Sequence, residues 1–404
     1  MALIVQKFGG SSVKDRDHLF RVARIIDDTR RAGNDVVVVV SAQGDTTDEL
    51  LEKVAEITPE PSPRELDMLL STGEQSTIAL LAMTLQSIGC PAVSLTGWQA
   101  GFHTDQAHTK ARIVQLDGER ISHALAEKQV VVVAGFQGVN TKGDITTLGR
   151  GGSDTSAVAI AAALHAERCQ IYTDVEGIYT ADPRKVPHAG KLQEISADEM
   201  LELATLGSQV LNHRSVELTK KYHVELEVRS SLNPVKGTKV TNTTQEMEKP
   251  QIKGVTKDGA VTLFTVRNLH DAPISCCQVF RLLAQNGIVV DTILQSPQHD
   301  GCVDLYFTVA TTEEMQTEKL LQEHMAFDGY MCEVEKEPSC AKVSAVGVGM
   351  QTNSGVAEKM FSALEQCRVK IKMITTGASK ASVLVNQQDA DTVLRAMHDG
   401  LIEE

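Results

Sequence analysis

Three short segments place glycines beside residues able to hold or move a phosphate. Lys7-Phe8-Gly9-Gly10-Ser11-Ser12 follows directly on the apolar run Leu3–Val5. Glycines there let backbone amides approach phosphate oxygens, a following helix N-terminus adds a favourable dipole, and Lys7 supplies positive charge. Thr147-Leu148-Gly149-Arg150-Gly151-Gly152-Ser153-Asp154-Thr155 leads into a helix from Ser156. Paired glycines before a helix form an anion nest; Arg150 can grip a carboxylate with two parallel hydrogen bonds and Asp154 can pair with a cation. The segment from Tyr172 to Arg184 (YTDVEGIYTADPR) begins at a strand end, where open α/β sheets place their ligands. Tyr179 could flank a base there and Arg184 reach phosphate. Glu74, in STGEQ, reads as lying at a turn ahead of a helix, and Ser41 and Thr47 read as hydroxyl donors in a glycine-containing loop. Taken singly, each signal has a structural alternative. These are a glycine turn with a solvated Lys7, an N-cap at Ser153 or Asp154, a first-turn charge at Glu74, and a loop closed by Asp182-Pro183. No GxxxxGK[ST] phosphate loop occurs.

The elements that must position these residues alternate in type. Leu3–Val5, Val36–Val40, Ala92–Leu95, Val130–Ala134 and Gln170–Tyr172 read as strands, and continuous β-branched runs such as VVVVV suit strands buried on both faces. Between them 16–32, 64–88, 118–128 and 154–166 carry helical periodicity. The alternation predicts an α/β fold, a mostly parallel sheet sandwiched by helices over residues 1–240, with Glu225–Arg229 as its closing strand. The polar stretch 241–250 reads as a linker. Beyond it, 251–337 and 338–404 each follow the βαββαβ order of a ferredoxin-like module. QNGIVVDTILQ in the first echoes QCRVKIKMITT in the second.

A chain of 404 residues calls for about two to four domains. Its net charge of −14, with no basic block, gives no electrostatic support for binding nucleic acid or an anionic membrane. No apolar run reaches the ~18 residues of a membrane span. None of the eight cysteines forms a CxxC pair, and the twelve histidines are dispersed, so a built-in metal site is not expected. Reduced thiols and the lack of a basic, apolar leader suit the cytoplasm.

Together the motifs say more than any one of them. KFGGSSV, SAQGDTTDEL, STGEQ, TGWQAG, AGFQGV, TTLGRGGSDTSAVAIAAAL and YTDVEGIYTADPR occur in this order. The set resembles the amino acid kinase family, and within it the aspartate kinases, over residues 1–230. The resemblance implies attack of the β-carboxylate of L-aspartate on the γ-phosphate of ATP, giving 4-phospho-L-aspartate and ADP, the first step towards lysine, threonine, methionine and diaminopimelate. The nucleophile is already an anion, so the task is alignment and charge neutralisation. Mg2+ would enter with ATP. By the family pattern Lys7 stabilises the transferring phosphate and Asp154 orients Lys7. Gly9, Gly10 and Ser11 cradle the phosphates, and Phe8 and Ser41 also belong to the ATP site. Arg150, with Thr47, Gly151, Gly152 and Ser153, holds the α-carboxylate of aspartate, and Glu74 meets its ammonium. Thr173, Asp174, Tyr179, Asp182 and Arg184 line the nucleotide site. One departure is Gln209, in GSQVLNHRSV, where the family often has Lys in a segment like GAKVLHP; Gln209 is left out of the site. The alternatives are another carboxylate kinase of this fold, or a non-catalytic amino-acid sensor, against which intact Lys7, Glu74, Arg150 and Asp154 argue.

The two C-terminal modules resemble the paired ACT domains of aspartate kinases, which bind lysine or threonine and associate between chains. The resemblance therefore implies a homo-oligomer and an effector site near Asp271, Val289, Gln295 and Lys370. Yet the first module reads Asp271-Ala272-Pro273-Ile274 without the expected glycine, and Val289 stands where Asn is usual. The second reads Asn353-Ser354-Gly355 without proline, and Lys370 replaces Asn. Feedback by lysine or threonine is thus expected to be weakened or altered. Met247 is also a candidate internal start for a smaller regulatory subunit.

Overall fold

The computed structural model describes all residues except 243–250, 271, 298–301, 325, 328–329, 332, 349–353 and 403–404. Asp271, Asn353, Met247 and most of the expected linker therefore lie outside the described residues. The chain forms two compact units. The first comprises Met1–Thr180, Gly190–Thr205 and Gln209–Met247, and the second Ala181–Ala189, Leu206–Ser208 and Glu248–Glu404.

The first unit is built on an eight-stranded sheet. Its order is Glu194–Ser196, Thr238–Thr241, Leu226–Ser230, Arg168–Thr173, Leu3–Phe8, Asp35–Val40, Val130–Ala134 and Ala92–Leu95. All neighbours run parallel except Leu226–Ser230 with Thr238–Thr241. The expected closing strand is thus followed by a further strand that turns back beside it. Strand periodicity decides which side chains meet which layer. Phe8, Val36, Val38, Val40, Val130 and Val132 pack with Leu19, Val22, Ile26, Ile78, Leu81 and Leu85 from the helices Arg16–Arg31 and Pro63–Ser87. Lys7, one residue before Phe8, faces the other side. There the helix Gly152–Ala163, buried nearly all round, lies against the central strands.

A small four-stranded sheet, in the order Ile113–Leu116, Phe102–Thr104, Gln137–Val139, Ile145–Thr147, was not legible in the sequence. Its strands span three or four residues each, too few to carry a period.

In the second unit one six-stranded antiparallel sheet serves both modules. Its order is Val290–Pro297, Val303–Ala310, Gln251–Leu269, Glu333–Val348, Lys380–Asn386, Met373–Thr376. The first half of Gln251–Leu269 pairs with the second half of Glu333–Val348, and its second half with the first. One strand of 16 residues, Glu333–Val348, runs across 337–338, where the sequence passes from the first expected module to the second. The cores remain distinct. Phe264, Phe307, Leu283 and Leu321 centre one, and Val343, Val383, Leu394 and Met397 the other. Among the described residues each module has two α-helices, Ala272–Gln285 with Glu314–Glu323 and Ser354–Cys367 with Ala390–Leu401.

Candidate active site

The site lies where the parallel strands of the first unit end. Lys7 is the penultimate residue of its strand, between Val39 and Ile171 of the neighbouring strands. Its ammonium meets Asp154 Oδ1 at 2.6 Å, with both side chains about nine-tenths buried. Beneath the pair Cys169 is wholly buried, and its thiol pKa is pushed far up by that burial and by the charge of Asp154. Asp154 stands in the first turn of Gly152–Ala163, so the positive end of the helix dipole reaches the same point. Gly151 precedes that helix in the left-handed region at φ 69°, and a Cβ there would meet the Asn212 side chain at 2.3 Å. Asn212 Nδ2 donates to the Arg150 carbonyl, and the Arg214 guanidinium donates to the carbonyls of Leu148 and Ala111. The Leu148–Gly151 loop is thus held by its backbone, leaving the Arg150 side chain exposed.

The glycine segment after Lys7 turns at once. Gly9 precedes a short 3-10 turn, Gly10–Ser12, and a Cβ on Gly9 would lie 3.5 Å from Lys7 Nζ. Gly10 packs against the loop after Asp35–Val40, where a Cβ would sit 2.7 Å from the Ala42 carbonyl oxygen. In that loop Ser41 Oγ donates to Ser153 Oγ at 3.0 Å, and the Ala42 amide donates to Glu74 Oε1 at 3.0 Å. Gly10, Ser41, Glu74, Ser153 and the Lys7–Asp154 pair are joined through one loop and one helix start.

Glu74 is 3% exposed, and burial raises its carboxyl pKa to about 7 against the opposing Ala42 hydrogen bond. Its second oxygen has no partner among the described residues. The expected turn ahead of a helix is corrected: Glu74 lies within Pro63–Ser87, a helix of 25 residues. Gly73 permits this, because a Cβ there would meet that of Ala42 at 2.8 Å. The glycine serves close packing rather than a turn. Thr47 likewise stands in the first turn of the helix Thr46–Ile57, not in a loop.

On the other side Thr173 ends its strand, with its hydroxyl donating to Asp174 Oδ1 at 3.0 Å. Ser231 donates through its amide and hydroxyl to the Thr173 carbonyl, and it accepts from Ser12 Oγ at 2.8 Å. Tyr179 is half-buried and bridges to Lys191, with its hydroxyl pKa raised by burial and then by Glu176. Phe8 is fully buried and stacks on Tyr172 at 4.5 Å, so only its backbone can meet a ligand; the Ser11 side chain is exposed. Asp182 and Arg184 belong to the second unit and pair with each other at 3.0 and 3.1 Å. Burial works against ionising Asp182, yet the Arg184 hydrogen bonds hold its pKa below the usual range. Val289 and Lys370 are exposed and precede strands at opposite edges of the six-stranded sheet; Gln295 is exposed on the first of those strands.

A family model described as the amino acid kinase family matches residues 2–230, and ACT domain models match 277–329 and 343–401. The aspartokinase of Geobacillus stearothermophilus is 47% identical over 407 residues, covering 100% of this chain and 98% of its own. The chain belongs to the aspartate kinases. An aspartate kinase of Corynebacterium glutamicum is 45% identical, covering 99% of this chain and 96% of its own. The structure of Escherichia coli aspartokinase III in complex with aspartate and ADP superposes with a TM-score of 0.83 at 30% identity, over 99% of this chain and 100% of that one. The paired regulatory modules expected from the sequence are therefore present, on a kinase domain of the aspartate kinase type. Among the described residues no helix is long and apolar enough to cross a membrane.

Two residues of this aspartate kinase site escaped the sequence reading. Asp67 is wholly buried and accepts from Thr147 Oγ1 at 2.5 Å, from the Thr109 amide and from His108. Ser231 links the glycine turn to Thr173. The only signal for Asp67 was an acid in phase with Ser71 and Glu74 along one helix face.

Proposed function

We propose that the chain transfers the γ-phosphoryl group of ATP, carried as its magnesium complex, to the β-carboxylate of L-aspartate. The observation that carries this is the Lys7–Asp154 ion pair, joined through the Ser41–Ala42 loop to a buried Glu74 with one open oxygen. Lys7 meets the transferring phosphate and neutralises charge that grows on its oxygens, with Asp154 fixing the ammonium. Gly9, Gly10 and Ser11 present backbone to the phosphates. The open oxygen of Glu74 takes the substrate ammonium, and exposed Arg150 with Ser153 takes the α-carboxylate. Those two grips leave the β-carboxylate as the free end, which suits a substrate of aspartate length. Thr173, Asp174 and Tyr179 serve the nucleotide. A sensor without catalysis would have no use for the Lys7–Asp154 pair.

A coupled ADP-release assay with aspartate, glutamate and acetylglutamate tests the reading. Turnover with aspartate at least about 100-fold above the other two is expected, since the lost or misplaced ammonium would leave Glu74 buried and unpaired. Equal rates would point to another carboxylate kinase, and no turnover to a sensor.

The ACT modules favour a homo-oligomer, their departures from the usual pattern favour weakened or altered feedback, and the free cysteines suit the cytoplasm. Val289 has no hydrogen-bonding side chain, and Lys370 would repel an effector ammonium that it faced. Millimolar lysine and threonine, together or separately, are expected to change activity by less than about 2-fold. Strong inhibition by either would refute this.

A further inference from the structure

Within the second unit the segment Ala181–Ala189 docks on the C-terminal helix Ala390–Leu401. Ala181 and Val186 enter the core beside Val393 and Met397. Lys185 donates to Asp391 Oδ2 at 2.9 Å, and Lys257 pairs with the other oxygen of Asp391. Seven residues on, the same helix presents His398 and Asp399 to the end of the segment. Asp399 Oδ1 lies 2.7 Å from His188 Nε2 and 3.5 Å from His398 Nδ1, and the two imidazoles cross at 70° with centroids 5.2 Å apart.

We propose that His188, His398 and Asp399 form a binding site for a divalent transition-metal ion of the zinc class. Each can place one ligating atom within 4.8 Å of the other two. Tetrahedral zinc with bonds of ~2.0 Å holds its ligand atoms about 3.3 Å apart, so rotamer adjustments of about an ångström close the set. Two imidazoles and one carboxylate suit Zn2+, Cu2+ or Ni2+, whereas Mg2+ prefers oxygen ligands. His398 is almost wholly buried and fixed by its helix, while His188 and Asp399 are exposed enough to admit an ion and a water as fourth ligand. The bound ion staples the end of the segment to the helix, beyond the Lys185–Asp391 contact. The site stands on geometry alone and does not depend on the activity proposed above.

Full-length protein stripped with a chelator and dialysed would be titrated with Zn2+ against a chromophoric competitor, with 5 mM-scale Mg2+ present throughout. One Zn2+ per chain is expected to bind in a manner lost, or weakened at least about 10-fold, in both His188→Ala and Asp399→Asn. Both altered residues are exposed, and metal-free melting curves matching wild type would show that the variants fold. Zn2+ should raise the melting temperature of wild type and not of either variant. Zinc uptake of equal stoichiometry and affinity in wild type and both variants, or displacement of Zn2+ by the Mg2+, would overturn the proposal.

Discussion

Asp67 and Glu74 stand two turns apart on the buried face of one helix, and their carboxylates are treated in opposite ways. Asp67 is filled with donors from Thr147, Thr109 and His108. Glu74 receives the Ala42 amide on one oxygen and, among the described residues, no hydrogen bond on the other. The first arrangement is structural: it ties the strand leading into the Arg150 loop to the helix. The second suits the proposed role of Glu74 in holding the substrate ammonium.

Glu74 should therefore set the pH dependence of aspartate capture. With its pKa near 7, the carboxylate form needed to hold an ammonium is lost as pH falls below that value. kcat/KM for aspartate is expected to rise about tenfold per pH unit below 7 and level off above it. Glu74→Gln should flatten that limb while leaving the KM for ATP nearly unchanged.

The same shift acts on stability. The folded protein binds the Glu74 proton more tightly than the unfolded chain, whose value lies near the ordinary 4.5. Between pH 4.5 and 7 the native state holds more protons, so stability falls as pH rises through that window and stays lower above it. Glu74→Gln is expected to stabilise the protein by about 1–3 kcal/mol at pH 8 and to change little at pH 4. Denaturant unfolding at the two pH values checks the sign.

Asp67→Asn removes the charge that gathers these donors. A loss of about 2–4 kcal/mol in urea unfolding is expected, with a several-fold higher KM for aspartate as the Arg150 loop loosens. Thr147→Val, which deletes one donor, should show the same pattern at about half the size. A Thr147→Val effect on ATP alone would contradict the assignment.

Gly135 lies under Ser153, and a Cβ there would come within 2.7 Å of the Ser153 Cβ. Gly135→Ala should push the start of the Gly152–Ala163 helix away from Ser41. A fall of about 10- to 100-fold in kcat/KM for aspartate is expected, with stability reduced far less than activity. Steady-state kinetics beside a melting curve separate the two.

The chemistry was legible where residue type and order coincide. A lysine before paired glycines, an Arg-Gly-Gly-Ser-Asp run before a helix and buried valine runs between them give the kinase half. Residues that act through tertiary contact were not. Asp67 carries no local signal beyond its phase with Ser71 and Glu74, because its donors come from a loop about 40 residues away and a strand about 80 residues away. Gly73 beside Glu74 looks like a turn until the Ala42 loop is seen pressed against it. The Glu333–Val348 strand contains Pro338 and changes partner register near Cys340. In sequence such a break reads as a boundary between strands.

Lys7, held by Asp154, is proposed to drive phosphoryl transfer to the β-carboxylate of aspartate. Reaction mixtures quenched with hydroxylamine convert an acyl phosphate to a hydroxamate, whose position on the substrate can be identified by mass spectrometry. β-Aspartyl hydroxamate is expected from wild type. With Lys7→Ala its rate of formation should fall by at least about 100-fold, at a little-changed KM for aspartate. Undiminished hydroxamate from Lys7→Ala, or none from wild type with aspartate and MgATP, would contradict it.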